Sequence, residues 1–205
     1  MNTIEKIRNF RLIILFFAAI AITSCSNDDD VPEEENELEV ITDVKLVFTN
    51  TTDASDVIEA SAQDADGLGI GELMVLNQIN LDANKTYILS FEIFNNLETP
   101  GEDIGDEILE EDNEHQFFFS FSDGAFSNPG GNGNIDTASD PLEYNDQDEN
   151  GNPVGLSTTW TTSAEALSGG NFTVTLKHQP DVKTATSGAN DGETDFNLRF
   201  VLNIQ

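Results

Sequence analysis

Phe196-Asn197-Leu198-Arg199-Phe200-Val201-Leu202-Asn203-Ile204 decides the fold class. Phe196, Leu198, Phe200, Leu202 and Ile204 stand on alternate positions, with Asn197, Arg199 and Asn203 between them. Successive side chains of a strand point to opposite faces, so this period of two describes a strand with one face on a core. Working back from it, Phe172, Val174 and Leu176 face one way, with Thr173, Thr175 and Lys177 opposite. Leu156, Thr158 and Trp160 repeat the pattern, as do Phe117, Phe119 and Phe121, and Tyr87, Leu89, Phe91 and Ile93. Val44, Leu46 and Phe48 open the series, and residues 56–62 and 73–81 are weaker candidates. Single-faced strands separated by turn residues predict an all-β domain, an antiparallel β-sandwich of about seven or eight strands.

One short acidic helix is expected around Asp103–Glu114, where Ile104, Ile108 and Leu109 are spaced for a single buried stripe. Residues 122–152 are rich in Gly, Asn, Asp and Pro and read as a long exposed excursion.

The first residues are of a different kind. Lys6, Arg8 and Arg11 precede an unbroken apolar run from Leu12 to Ile22, and small residues lead into Cys25. The run is shorter than the roughly 20 residues a membrane-spanning helix needs and fits the apolar segment of a cleaved leader. Cys25 is the only cysteine in the chain, so no intrachain disulfide can form. Ile22-Thr23-Ser24-Cys25 resembles the lipobox of bacterial lipoproteins, with Ile where Leu is usual, and this implies acylation of Cys25. Asp28-Asp29-Asp30 resembles the surface-export signal of Bacteroidota lipoproteins. The expected organisation is a signal peptide over residues 1–24, an acylated cysteine and acidic tether over 25–37, and one β-sandwich domain over 38–205. The expected place is the outer membrane, lipid-anchored, facing the cell surface rather than the periplasm.

The chain carries a formal charge of −31. Beyond the leader its cations are Lys45, Lys85, Lys177, Lys183 and Arg199. Phosphate neutralisation by Lys and Arg supplies most nucleic-acid affinity, so nucleic acid is excluded as a partner. Contact with a membrane is expected through the lipid anchor.

Several groups are candidates for chemistry. Asp146, Asp148 and Asn150, with Gly151 at the sixth position, match the first half of an EF-hand-type calcium loop. The acid expected at the twelfth position is Ser157, and an ordinary Asx-Gly turn is the alternative. His115 and His178 lie by parity at the rim of apolar strand faces. There they are either ligands for a transition metal or haem, or ordinary strand-end histidines. The run Glu102–Glu114 is a solvated helix face or a chelating patch. Trp160, Tyr87 and Tyr144 would be the stacking residues of a polysaccharide-associated accessory protein, the reading that brings in an outer-membrane or glycan partner. Asp136-Thr137-Ala138 matches a short O-glycosylation pattern. No nucleophile elbow, cysteine nucleophile or phosphate-cradling loop occurs, so no catalytic residues are assigned and no enzymatic activity is expected.

Leu81-Asp82-Ala83-Asn84-Lys85-Thr86-Tyr87, Asp112-Asn113-Glu114-His115-Gln116-Phe117, Asn150-Gly151-Asn152-Pro153-Val154-Gly155-Leu156, Thr175-Leu176-Lys177-His178-Gln179-Pro180-Asp181 and Gly192-Glu193-Thr194-Asp195-Phe196 together resemble a group of small Bacteroidota envelope lipoproteins. Some of these are labelled periplasmic binding fold proteins. The alternation of helices and strands which that two-lobed fold needs is absent here. The resemblance implies an envelope lipoprotein and assigns no site residues. The sequence therefore leads to a non-enzymatic binding or interaction module, with calcium as a brace. Metal or haem capture for uptake and a polysaccharide-associated role stand as the alternatives.

Overall fold

The structure, a computed structural model, describes residues 39–64, 72–97 and 99–205. The leader, Cys25 and the tether lie outside the described residues.

The described residues form an all-β fold of two sheets. The first sheet is ordered β10 (Glu143–Tyr144), β11 (Ser157–Thr162), β5 (Thr86–Asn95), β1 (Asp43–Asn50), β2 (Val57–Gln63) and β3 (Met74–Val75). Two short strands attach to it: β6 (Glu102–Asp103) pairs with β5, and β8 (Phe126–Asn128) with β11. The second sheet is ordered β4 (Ile79–Leu81), β13 (Glu193–Ile204), β12 (Leu167–His178), β7 (His115–Phe121) and β9 (Asn134–Ile135). All pairings are antiparallel except β13 with β4, which run parallel.

The alternation that predicts these strands is the alternation that packs them. Along β13, Phe196, Leu198, Phe200, Leu202 and Ile204 are buried, while Asn197, Arg199 and Val201 are exposed. Aromatic residues join the two sheets. Phe48 of β1 meets Phe172 of β12 edge-on at 5.8 Å, and Phe119 of β7 meets Trp160 of β11 at 5.2 Å. Trp160 also touches Phe121, Phe126 and Phe172, and its indole N–H donates to Thr158 Oγ1 at 2.8 Å, so its one polar atom is satisfied inside the core.

Three expectations change. Residues 73–81 are not one strand: β3 joins the first sheet and β4 the second. The excursion over 122–152 is stitched to the sheets by β8, β9 and β10, and it buries Phe126 and Ile135. The helix α1 covers only Ile104–Glu110. Asp103 caps it by accepting the Gly105 N–H at 3.0 Å, and Ile104 and Ile108 are its buried residues. After α1 the chain turns at residues 111–114 and enters β7 at His115. That short turn sets Glu111 beside the histidine.

Candidate metal centre

β7 begins at His115 and β12 ends at His178, and antiparallel pairing sets the two directly opposite each other. Both continue the core-facing parity of their strands, in register with the pair Phe117 and Leu176. The imidazoles therefore point inward at the rim of the core: His115 is fully buried and His178 nearly so. Their rings stack with centroids 4.5 Å apart and an interplanar angle of 3°.

Glu111 completes the cluster. One ligand atom from each of Glu111, His115 and His178 lies within 4.8 Å of the others. The Glu111 main chain also orients His115, because its carbonyl lies 3.2 Å from His115 Nδ1. A carbonyl only accepts, so this contact places the proton on Nδ1 and leaves the Nε2 lone pair unprotonated. Nε2 of His115 is buried without a hydrogen-bond partner, and so are both ring nitrogens of His178. Glu114 Oε2 lies 3.4 Å from His178 Nε2 without the geometry of a hydrogen bond. Burial, and next the neighbouring His178, push the His115 pKa down to about 4, which keeps this imidazole neutral at pH 7. A neutral imidazole is the form that ligates metal.

A fourth group enters from β13. Leu176 pairs with Phe196 and Lys177 with Thr194, so Asp195 is an extra residue with no partner of its own, a β-bulge. Simple alternation from Phe196 would turn Asp195 to solvent. Instead both its carboxylate oxygens are buried and no side chain donates to them; the Glu39 N–H is the one donor that favours its charge. Burial pushes its pKa up to about 7, against the opposing pull of His178.

The shell around the histidines is cross-braced. The Gln179 N–H donates to the Glu114 carbonyl at 2.6 Å, and its side-chain amide donates to the carbonyls of Gly188 and Asp191. Gly192 (φ +71°) brings the returning chain so close to His178 that a Cβ there would strike the His178 carbonyl oxygen. Lys183 and Asp148, both with nearly fully buried side chains, form an ion pair at 3.3 Å, and the same ammonium donates to the Asp112 carbonyl.

That ion pair bears on the calcium expectation. Asp148 Oδ1 accepts the N–H groups of Asn150 and Asn152, and its Oδ2 takes the Asn152 amide and the Lys183 ammonium. Asp146 turns both oxygens onto the N–H groups of Gly155 and Ser157. Asn150 lends its backbone to this turn, and Gly151 (φ +82°) permits it. The turn alternative describes this loop, and the cation it holds is a lysine. The stacking residues of the polysaccharide reading are also taken: Trp160 and Tyr87 are wholly buried, and the half-buried Tyr144 donates its hydroxyl to the Phe117 carbonyl.

Sequence parity thus finds His115 and His178 but misses Glu111, Lys183 and Asp195. Glu111 stands four residues before His115, a spacing read only as part of an acidic run. Lys183 is one of eight Lys and Arg residues in an acidic chain. Asp195 is hidden by the bulge, which alternation cannot see. No family model matches the chain, and no curated protein or solved structure is significantly similar to it.

Proposed function

We propose that this chain is a lipid-anchored, surface-exposed envelope lipoprotein, a non-enzymatic binding module whose ligand is a divalent transition-metal ion taken by Glu111, His115 and His178. The observation that carries the reading is the convergence of two buried imidazoles and a carboxylate, with three buried ring nitrogens lacking partners. Each buried polar group left unsatisfied costs about 1–3 kcal/mol, and a bound ion offsets that cost. Nitrogen and carboxylate oxygen together suit Zn²⁺ and its first-row neighbours better than calcium, which takes oxygen ligands alone.

The stack defines what binding must do. Each nitrogen lone pair lies in its own ring plane, and the two planes are parallel. One ion, about 2 Å from each nitrogen, is reached only when one ring turns out of the stack. The χ2 torsion of histidine is broad, so the torsion itself does not oppose that turn. The same packing favours an ion over haem, because rings stacked at 4.5 Å leave no room for a macrocycle between them.

The test is calorimetric titration of the metal-free mature protein with Zn²⁺, beside His115→Ala and His178→Ala. The reading requires one ion per chain in the wild type and at least a hundredfold loss of affinity in each variant. Equal heats in all three proteins would reject it. Anchoring is checked separately, by labelled-palmitate incorporation that disappears in Cys25→Ser.

A further inference from the structure

We propose that Asp195 is the positioning carboxylate of this centre: it accepts the ring N–H of His178 when that imidazole turns to the ion, and it offsets part of the charge that the ion brings into the rim of the core. The inference rests on the metal reading of the histidine pair and adds to it a residue and a role.

Three observations on β13 and its neighbours converge on Asp195. The bulge opposite Leu176 and Lys177 is the first: a bulge re-aims a side chain at the cost of a ladder position. The second is that the half-buried Asp195 has both carboxylate oxygens buried without a side-chain donor, the Glu39 N–H being the one donor that favours its charge, and that it lies within electrostatic reach of His178. The third is that the nearest cation does not answer it. Lys177 donates its ammonium to the Gly192 carbonyl at 3.0 Å and to Thr194 Oγ1 at 2.8 Å. A buried carboxylate with no side-chain donor is expensive, and such a group is met where a cation or a further donor arrives later.

His178 is the donor that arrives. In the stack neither of its ring nitrogens has a hydrogen-bond partner. An imidazole that gives one nitrogen to a metal presents the other as an N–H, and metal-bound histidines usually donate that N–H to a carboxylate or carbonyl. The acceptor fixes the tautomer, holds the ring and raises its basicity. His115 already has such an acceptor in the Glu111 carbonyl. Asp195 supplies the corresponding one for His178. The Asp195 carboxylate also offsets part of the +2 charge that an ion brings, beside Glu111 and the Glu114 carboxylate 3.4 Å from His178 Nε2.

The experiment compares Zn²⁺ affinity and metal-free thermal stability in the wild-type mature chain, Asp195→Asn, Asp195→Ser and Asp195→Glu. Loss of an outer carboxylate of this kind weakens metal binding by about 10- to 100-fold. The expected result is that loss in the Asn and Ser variants, partial recovery in Glu, and a metal-free Tm that stays level or rises, because an unpartnered buried charge has been removed. In the Co²⁺-loaded proteins the visible absorption band should shift between wild type and Asp195→Asn. Wild-type affinity in Asp195→Asn and Asp195→Ser would overturn this role and leave the histidine centre standing. A metal-free Tm that falls in step with affinity would make Asp195 a purely structural residue and overturn it equally. A wild-type chain that takes up no Zn²⁺ would remove the centre itself.

Discussion

At the scale of single residues, the histidine centre depends on side chains that touch no ligand. Lys183 and Asp148 form a buried pair that ties the loop after His178 to the turn around Asn150. Breaking a buried pair from one side leaves a charge without its partner and costs about 3–5 kcal/mol. Lys183→Met should therefore lower stability by that order in urea unfolding. Adding Asp148→Asn should recover part of the loss, whereas additive effects of the two changes would show that the pair is not coupled. Burial lowers the Lys183 pKa. At Asp148 burial works upward but is outweighed by hydrogen bonds from Asn152 and the attraction of Lys183, so its net pKa is lowered. Gly192→Ala is a second test at this scale. Its Cβ would strike the His178 carbonyl, so Zn²⁺ affinity should fall together with Tm; an unchanged Tm would mean that the hairpin does not hold His178.

At the scale of elements, α1 is a small helix with two separable loads. Asp103→Ala removes the cap on the Gly105 N–H and should cost about 1 kcal/mol. Glu107 carries the other load. Burial first, then hydrogen bonds with Glu102 and Glu39, raise its pKa from 4.5 to about 8. A carboxyl whose folded value lies above its unfolded one contributes stability that is complete below the unfolded pKa and lost as pH rises through the folded one. The wild type should therefore lose Tm between pH 5 and 9 relative to Glu107→Gln, with the two converging near the acid end of that range. Parallel pH profiles would contradict the shift. The elements also show where sequence reading stops. Alternation finds β1, β5, β11, β12 and β13, because each buries one face along several residues, and it finds β7 through Phe117, Phe119 and Phe121 although Gln116 and Phe118 on its other face are buried too. It cannot tell that Leu73–Leu81 divides between two sheets, since β3 and β4 are too short to display a period. It places His115 and His178 on the core side, yet the partnership itself is a fact of register: 63 positions separate two residues that the β7–β12 ladder sets face to face. Asp195 is lost to the same method, because one inserted residue reverses the side on which every simple count would put it.

At the scale of the whole molecule, an acidic chain without a disulfide stands on the aromatic packing between its sheets. Trp160, Phe172 and Phe119 meet across that interface, and Phe172→Ala should cost about 3–5 kcal/mol in denaturant unfolding; a loss below 1 kcal/mol would place the core elsewhere. The histidine rings occupy the end of this packed interior, where β7 begins and β12 ends, so the sandwich fixes their backbones. The net charge of −31 gives the protein a field that concentrates cations near its surface, and raised ionic strength should slow metal uptake by screening it. The claim on which the functional account rests is that Glu111, His115 and His178 close on one ion. Anomalous diffraction at the zinc absorption edge, from crystals of the Zn²⁺-loaded protein, tests it most directly. The account predicts a single strong peak about 2 Å from one nitrogen of each histidine, with the rings no longer parallel. Rings still stacked in parallel planes, with no peak between β7 and β12, would contradict it.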